Sequence, residues 1–106
     1  MSRPPEDCTS MAEIRAEIDQ IDRALMRLFH ERWGYIGRAG EIKRAIGLAA
    51  DIPERVEEVR ANARHQAESH GLDPDLYDRI WEMLIRHAIA YEEEILNAGP
   101  QAPSAP

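Results

Sequence analysis

Apolar residues recur at Ile14, Ile18, Ile21, Leu25 and Leu28, the three-and-four spacing of a single helix face. Where the next apolar residue of this stripe is due, the chain has Arg32. The period resumes at Ile36, Ala39, Ile42 and Ile46, and Gly47 follows. Ser10 with Glu13 has the capping-box spacing, so a first helix is predicted from about Met11 to about Ile46. Gly34, Gly37 and Gly40 lie inside it, each weakening a helix by about 1 kcal/mol relative to Ala. Their spacing lines them up along one side, which suits close approach of another helix. The alternative is a break near residue 34; we read the helix as continuous because the apolar period carries on.

Two shorter helices are predicted beyond it. Leu48–Ile52 reads as a short loop, with Asp51 or Ile52 as the N-cap of a second helix and Pro53 in its first turn. That helix has a thin stripe of Val56, Val59, Ala63 and Ala67 and closes at Gly71. Asp73-Pro74 is another cap-then-proline start. The third helix is expected to run to about Leu96 and to bury Leu76, Ile80, Trp81, Leu84, Ala88 and Ile95. Residues 1–9 read as an extended lead-in, residues 10–97 as one helical domain, and residues 98–106, rich in Ala and Pro, as a disordered tail. No strand pattern and no internal repeat is visible. The fold class is all-α, a three-helix subunit with one long N-terminal helix. Two short companions cannot cover so long a stripe, so an intertwined homodimer is expected.

Composition narrows the function classes. Thirteen Lys and Arg stand against twenty Asp and Glu, a net charge of −7 over 106 residues. This balance argues against nucleic acid as a partner, though it leaves room for a local cationic pocket. The single cysteine, Cys8, allows no intrachain disulfide and reads as a bland surface or packing residue. No apolar run reaches the ~18 residues of a membrane span, and the first residues show no apolar leader, so a cytoplasmic protein without membrane partners is expected. His30, His65, His70 and His87 have no ligand-like spacing, and no metal site is expected. The run Glu92–Glu94 is by default a solvated face, and Trp33, Tyr35, Trp81 and Tyr91 read as core or interface residues.

Arg15, Arg32 and Lys43 then stand out on the first helix. A core-facing cation is costly unless something pairs with it, so Arg32 points to an anion supplied from outside the chain. Helix geometry separates Arg32 and Lys43 by about 16 Å along the axis but by only about 20° around it, so both face the same way. Arg15 is about 25 Å from Arg32 and rotated by about 100°. It cannot reach the same small ligand from its own chain, whereas an antiparallel partner could bring it in. Two sites per dimer would follow, each completed by Arg15 in trans. The plainer reading is three surface cations whose stems lie along an amphipathic helix.

The block EIRAEIDQIDRALMRLFHER, then IK at 42–43, IPERV at 52–56 and GLDPDLYDRIWEMLI resembles the small all-helical chorismate mutases and their relatives, the isochorismate pyruvate lyases. The resemblance covers roughly residues 6–97, and the spacing of Arg15, Arg32, Lys43 and Arg55 is fairly specific to it. It implies an entwined dimer of three-helix subunits with active sites inside the bundle and no cofactor. It implies that Arg15 from the partner holds one substrate carboxylate and that Arg32 holds the other. Lys43 would sit by the ether oxygen, Arg55 would add a cationic contact, Ile85 and Ile89 would line an apolar wall, and Glu92 would reach the ether oxygen.

Two departures bear on substrate. Many mutases carry an acid after the second-helix arginine, where it binds the substrate hydroxyl; Val56 stands here, as in the lyases. The third-helix polar residue is usually Gln in bacterial mutases and in lyases; Glu92 resembles the fungal type. The expected activity is the [3,3] rearrangement of chorismate to prephenate, with isochorismate cleavage to salicylate and pyruvate as the alternative. A non-catalytic helical dimer is the alternative of another class. Glu92 can assist a developing oxyanion only while protonated, so activity is expected to fall with rising pH and Glu92→Gln to flatten the profile.

Overall fold

The structure is a computed structural model that describes residues 3–98. Three α-helices make up its regular structure: α1 (Met11–Ile46), α2 (Pro53–Ser69) and α3 (Pro74–Asn97). No strand occurs among the described residues. The lead-in is not fully extended as expected. Pro5–Asp7 forms a 3-10 turn closed by Asp7 N–H to the Pro4 carbonyl at 2.9 Å and Cys8 N–H to the Pro5 carbonyl at 3.1 Å. Prolines preset the backbone angle such a turn needs. The tail from Gly99 onward lies outside the described residues. Helical bonding runs unbroken through Gly34, where the chain divides into two compact units, one up to Gly34 and one from Tyr35 onward.

The first unit is the lead-in and most of α1. Its cap follows the Ser10/Glu13 pattern with one change. Glu13 N–H donates to Ser10 Oγ at 3.2 Å, but the Glu13 carboxylate accepts from the Thr9 N–H at 2.7 Å, one residue before the usual partner. That backbone bond first, and the ion pair with Arg3 second, hold the Glu13 carboxyl below its ordinary range. The stripe beyond the cap stays open among the described residues. Ile18, Ile21, Leu25 and Leu28 keep 45–61% of their surface exposed.

The second unit packs α2 and α3 against each other. Arg64 pairs with Asp75 at 2.8 Å, and Arg60, a turn earlier on α2, reaches Asp78 at 2.8 Å and Glu82 at 3.3 Å, later on α3. Partners that descend one helix as they climb the other define an antiparallel hairpin. Its core is small: Ala50, Val56, Ala63, Ala67, Ile85 and Ala88 are buried. The thin α2 stripe read from the sequence is therefore the packed face. On α3, Ile80, Trp81, Leu84 and Ile95 are half-buried, but Leu76 is exposed, contrary to expectation. Leu76 lies seven residues before the exposed Met83, a near-integral two turns, so both sit on the open side of α3.

Local signals set the ends. Gly47 and Gly71 have φ of 79° and 71°, where an L side chain is strained, and each makes a Schellman turn. Leu48 N–H bonds the Lys43 carbonyl at 2.9 Å, and Leu72 N–H bonds that of Ala67 at 2.8 Å. Ile52 rather than Asp51 is the N-cap of α2, while the Asp73 carboxylate caps α3 through the Asp75 N–H at 3.0 Å. The last turns of α1 lie alongside α3 because Gly40, buried, admits Ile95. A methyl group there would sit 2.8 Å from Ile95 Cδ1 and 3.3 Å from its Cβ. Gly37 faces Tyr91 in the same way, one turn back on both helices.

Candidate functional site

Lys43 lies in the last turn of α1, just before Gly47, and Glu92 on the buried face of α3. The packing of α1 onto α3 brings them together across 49 residues of sequence. Lys43 Nζ donates to Glu92 Oε1 at 2.6 Å and to the Ala50 carbonyl at 2.9 Å. The two side chains retain 18% and 9% of their exposure. Glu92 is the one buried charged residue among those described. A pair so enclosed is costly to desolvate, and the additional backbone acceptor offsets part of that cost. An ammonium has three donors, so two are engaged and one remains for an incoming group.

Ile85 and Ile89 precede Glu92 by seven and three residues and share its side of α3. Ile85 is buried and Ile89 half-buried. Val56, also buried, stands after Arg55 where an acid would offer a carboxylate, and the first-turn acid of α2, Glu54, is exposed. Arg55 is not drawn into this cluster. It is exposed, and its guanidinium pairs with Glu58 at 2.8 Å, one turn along the same helix. Arg15 and Arg32 belong to the first unit. Arg15 is exposed and Arg32 half-buried, and neither side chain makes a hydrogen bond or ion pair among the described residues.

Some partners left little trace in the sequence. The Ala50 carbonyl is a backbone atom, and only its place in the short loop after Lys43 could have suggested it. Asp51, considered only as a cap, instead pairs with Arg86 of α3 at 3.3 Å. Asp78 accepts from Arg60 Nε at 2.8 Å and from Arg60 and Arg64 guanidinium nitrogens at 3.1 Å. Arg60, with Arg64 beside it, holds the Asp78 carboxyl below its ordinary range. The opposite charges along α2 and α3 were the available signal. No three His, Cys, Asp or Glu side chains are grouped as metal ligands among the described residues, and no helix there is long and apolar enough to cross a membrane.

Residues 14–93 match the family model described as chorismate mutase type II. The chain belongs to this family. Among its relatives is a chorismate mutase of Methanocaldococcus jannaschii, 31% identical over 86 residues, which are 81% of this chain and 87% of the relative. An isochorismate pyruvate lyase of Pseudomonas aeruginosa is 34% identical over 88 residues, 83% of this chain and 86% of that one. A T-protein of Enterobacter agglomerans is 31% identical over 84 residues; they cover 79% of this chain but only 22% of the T-protein. The chorismate mutase family thus includes relatives of similar identity named for an isomerisation and for a lyase reaction, as the resemblance implied.

Proposed function

We propose that this chain is a chorismate mutase that rearranges chorismate to prephenate without a cofactor. The observation that carries the reading is the enclosed Lys43–Glu92 pair at 2.6 Å, with a free ammonium donor and Ile85 on the same side of α3. In a [3,3] rearrangement the ether C–O bond breaks ahead of C–C bond formation, and negative charge grows on the ether oxygen. No nucleophile or metal is needed. The catalyst must fold a dicarboxylate into the reactive shape and aim donors at that oxygen.

Lys43 is suited to the oxygen and the adjacent carboxylate as a point charge. Arg32 is suited to bidentate grip of the enolpyruvyl carboxylate. Arg55 would join the site by exchanging Glu58 for substrate, and Ile85 and Ile89 would form the apolar wall. Glu92 has two roles open to it. Ionised, it orients the Lys43 ammonium; protonated, it donates to the ether oxygen. Glu92→Gln keeps an acceptor for Lys43 and an N–H donor for the ether oxygen, so turnover kept in Glu92→Gln and lost in Glu92→Leu supports a polar role for this side chain.

The second carboxylate is assigned to Arg15 of another copy. The open stripe of Ile18, Ile21, Leu25 and Leu28 supports an entwined homodimer, because a second copy would cover apolar surface that stays exposed among the described residues.

A second reading is favoured by Val56. With Val rather than an acid after Arg55, the same set of cations suits isochorismate, whose hydrogen migrates to the enolpyruvyl carbon to give salicylate and pyruvate. One experiment addresses both readings: purified protein supplied with chorismate or isochorismate, followed for prephenate and salicylate. Prephenate formation lost in Lys43→Ala supports the mutase. Salicylate as the dominant product moves the assignment to the lyase. Turnover of neither leaves the non-catalytic helical dimer.

A further inference from the structure

The loop between α1 and α2 does more than connect them, because it carries one of the two acceptors that aim Lys43. Ala50 is 6% exposed, and its carbonyl receives Lys43 Nζ at 2.9 Å. The next residue, Asp51, is tied by its carboxylate to Arg86 of α3 at 3.3 Å. The Ala50 carbonyl and the Asp51 Cα lie in one peptide plane, so holding Asp51 limits how that carbonyl can rotate. Arg86 is itself held, with Nε donating to Glu82 at 3.4 Å, and Glu82 in turn pairs with Arg60 of α2 at 3.3 Å. A line of alternating charges therefore runs from α2 across α3 to the loop.

We propose that Asp51 and Arg86 form a positioning clasp that sets the Ala50 carbonyl and, through it, the direction of the Lys43 ammonium. The proposal rests on the mutase reading of Lys43. Neither residue touches the reacting atoms, and both are partly exposed, with side chains 44% and 52% accessible. The effect is accordingly modest. An exposed ion pair contributes little to global stability, but here that small energy acts on one donor's orientation. The interaction with the ether oxygen strengthens as charge develops, so misaiming Lys43 lowers kcat more than it raises KM.

The test compares wild type, Arg86→Ala, Asp51→Asn and the charge-swapped pair Asp51→Arg with Arg86→Asp. Each single variant is expected to lose about two- to five-fold in kcat, with KM changed less than two-fold and the urea midpoint unmoved. The swapped pair should regain most of the loss. Added salt should narrow the kcat ratio between wild type and the single variants, because only wild type has the clasp to screen. Unaltered kcat, no recovery in the swapped pair, or a loss that follows stability would each overturn the clasp. Should wild type turn over neither substrate, the mutase reading fails by itself. Amide exchange then reads the clasp: faster exchange at Leu48 and Arg55 in Arg86→Ala supports it, and unchanged exchange overturns it.

Discussion

Replacing Lys43 by methionine probes the enclosed pair through stability, independently of any substrate. The substitution keeps the stem and removes the ammonium. Glu92, 7% exposed, is then left without its cation, and the Ala50 carbonyl loses its donor. Removing one partner of a buried ion pair costs about 3–5 kcal/mol, and the residual 18% exposure of Lys43 places this pair near the lower end, at about 3 kcal/mol. Urea unfolding at fixed protein concentration is the assay. With a slope of about 1–3 kcal/mol/M for a small domain, the midpoint should fall by roughly 1–3 M. Glu92→Gln should cost far less, since the amide oxygen still accepts from Lys43. The double variant Lys43→Met/Glu92→Leu should recover most of the loss, because an apolar pair needs no desolvation of charge. A loss below about 1 kcal/mol in Lys43→Met, or a double variant as unstable as the single, would refute the enclosed ion pair as the organising contact.

Three further outcomes are expected. Gly40→Ala gains about 1 kcal/mol in helix propensity but crowds Ile95, at a cost of about 1–3 kcal/mol, so a net loss of about 1 kcal/mol should lower the melting temperature by roughly 5 °C. Asp78 has a folded-state pKa below its unfolded value, so its stabilising contribution is complete above the ordinary aspartate value of about 4 and disappears as pH falls through the lowered one. Asp78→Asn should flatten the acid limb of a stability–pH curve below about pH 4 while lowering the plateau at neutral pH. Leu25→Glu places a charge in the uncovered α1 stripe and should abolish self-association in sedimentation velocity; an unchanged sedimentation coefficient would exclude that face as the dimer seam.

The parts of this molecule readable from its sequence are those whose cause lies within one helical turn. Ser10 with Glu13, Gly47, Gly71 and Asp73-Pro74 each satisfy or terminate local backbone bonds, and α1 begins and ends where those residues indicate. Continuity through three glycines was also legible, because the apolar period survived them. Gly40 shows why such a residue is tolerated: its missing side chain is the space Ile95 occupies. Leu76 was misread because periodicity identifies an apolar residue but not which side of its helix a neighbour covers, and Leu76 shares the open side of α3 with Met83. Glu92 is the opposite case. Within Glu92–Glu94 it looks like one of three solvated carboxylates, and only the family resemblance singled it out. Its burial depends on contact with a residue 49 positions away. The Ala50 carbonyl and the Asp51–Arg86 pair depend on loop geometry, for which side-chain patterns carry almost no information.

The packing of α1 onto α3 ties these observations together. Gly40 lies one turn before Lys43, and Ile95, the side chain it admits, lies one turn after Glu92. The Arg44 guanidinium, adjacent to Lys43, donates to the Ile95 carbonyl at 3.3 Å, adding a polar tie at the same crossing. The spacing of the two helices at Gly40 therefore governs how far Lys43 Nζ must reach to Glu92 Oε1, and 2.6 Å leaves little room for the helices to separate. A larger residue at 40 would act as a wedge, lengthening that bond while the Ala50 carbonyl stayed with its own loop. The small-residue contact and the charged pair are consequently one device. Sterics set the helix spacing, the loop supplies the second acceptor, and the ammonium is left with one donor directed by both. On the proposed mutase reading, a domain with so slight a core retains a buried charge because the ion pair orients a donor, at the expense of stability that an apolar pair would supply.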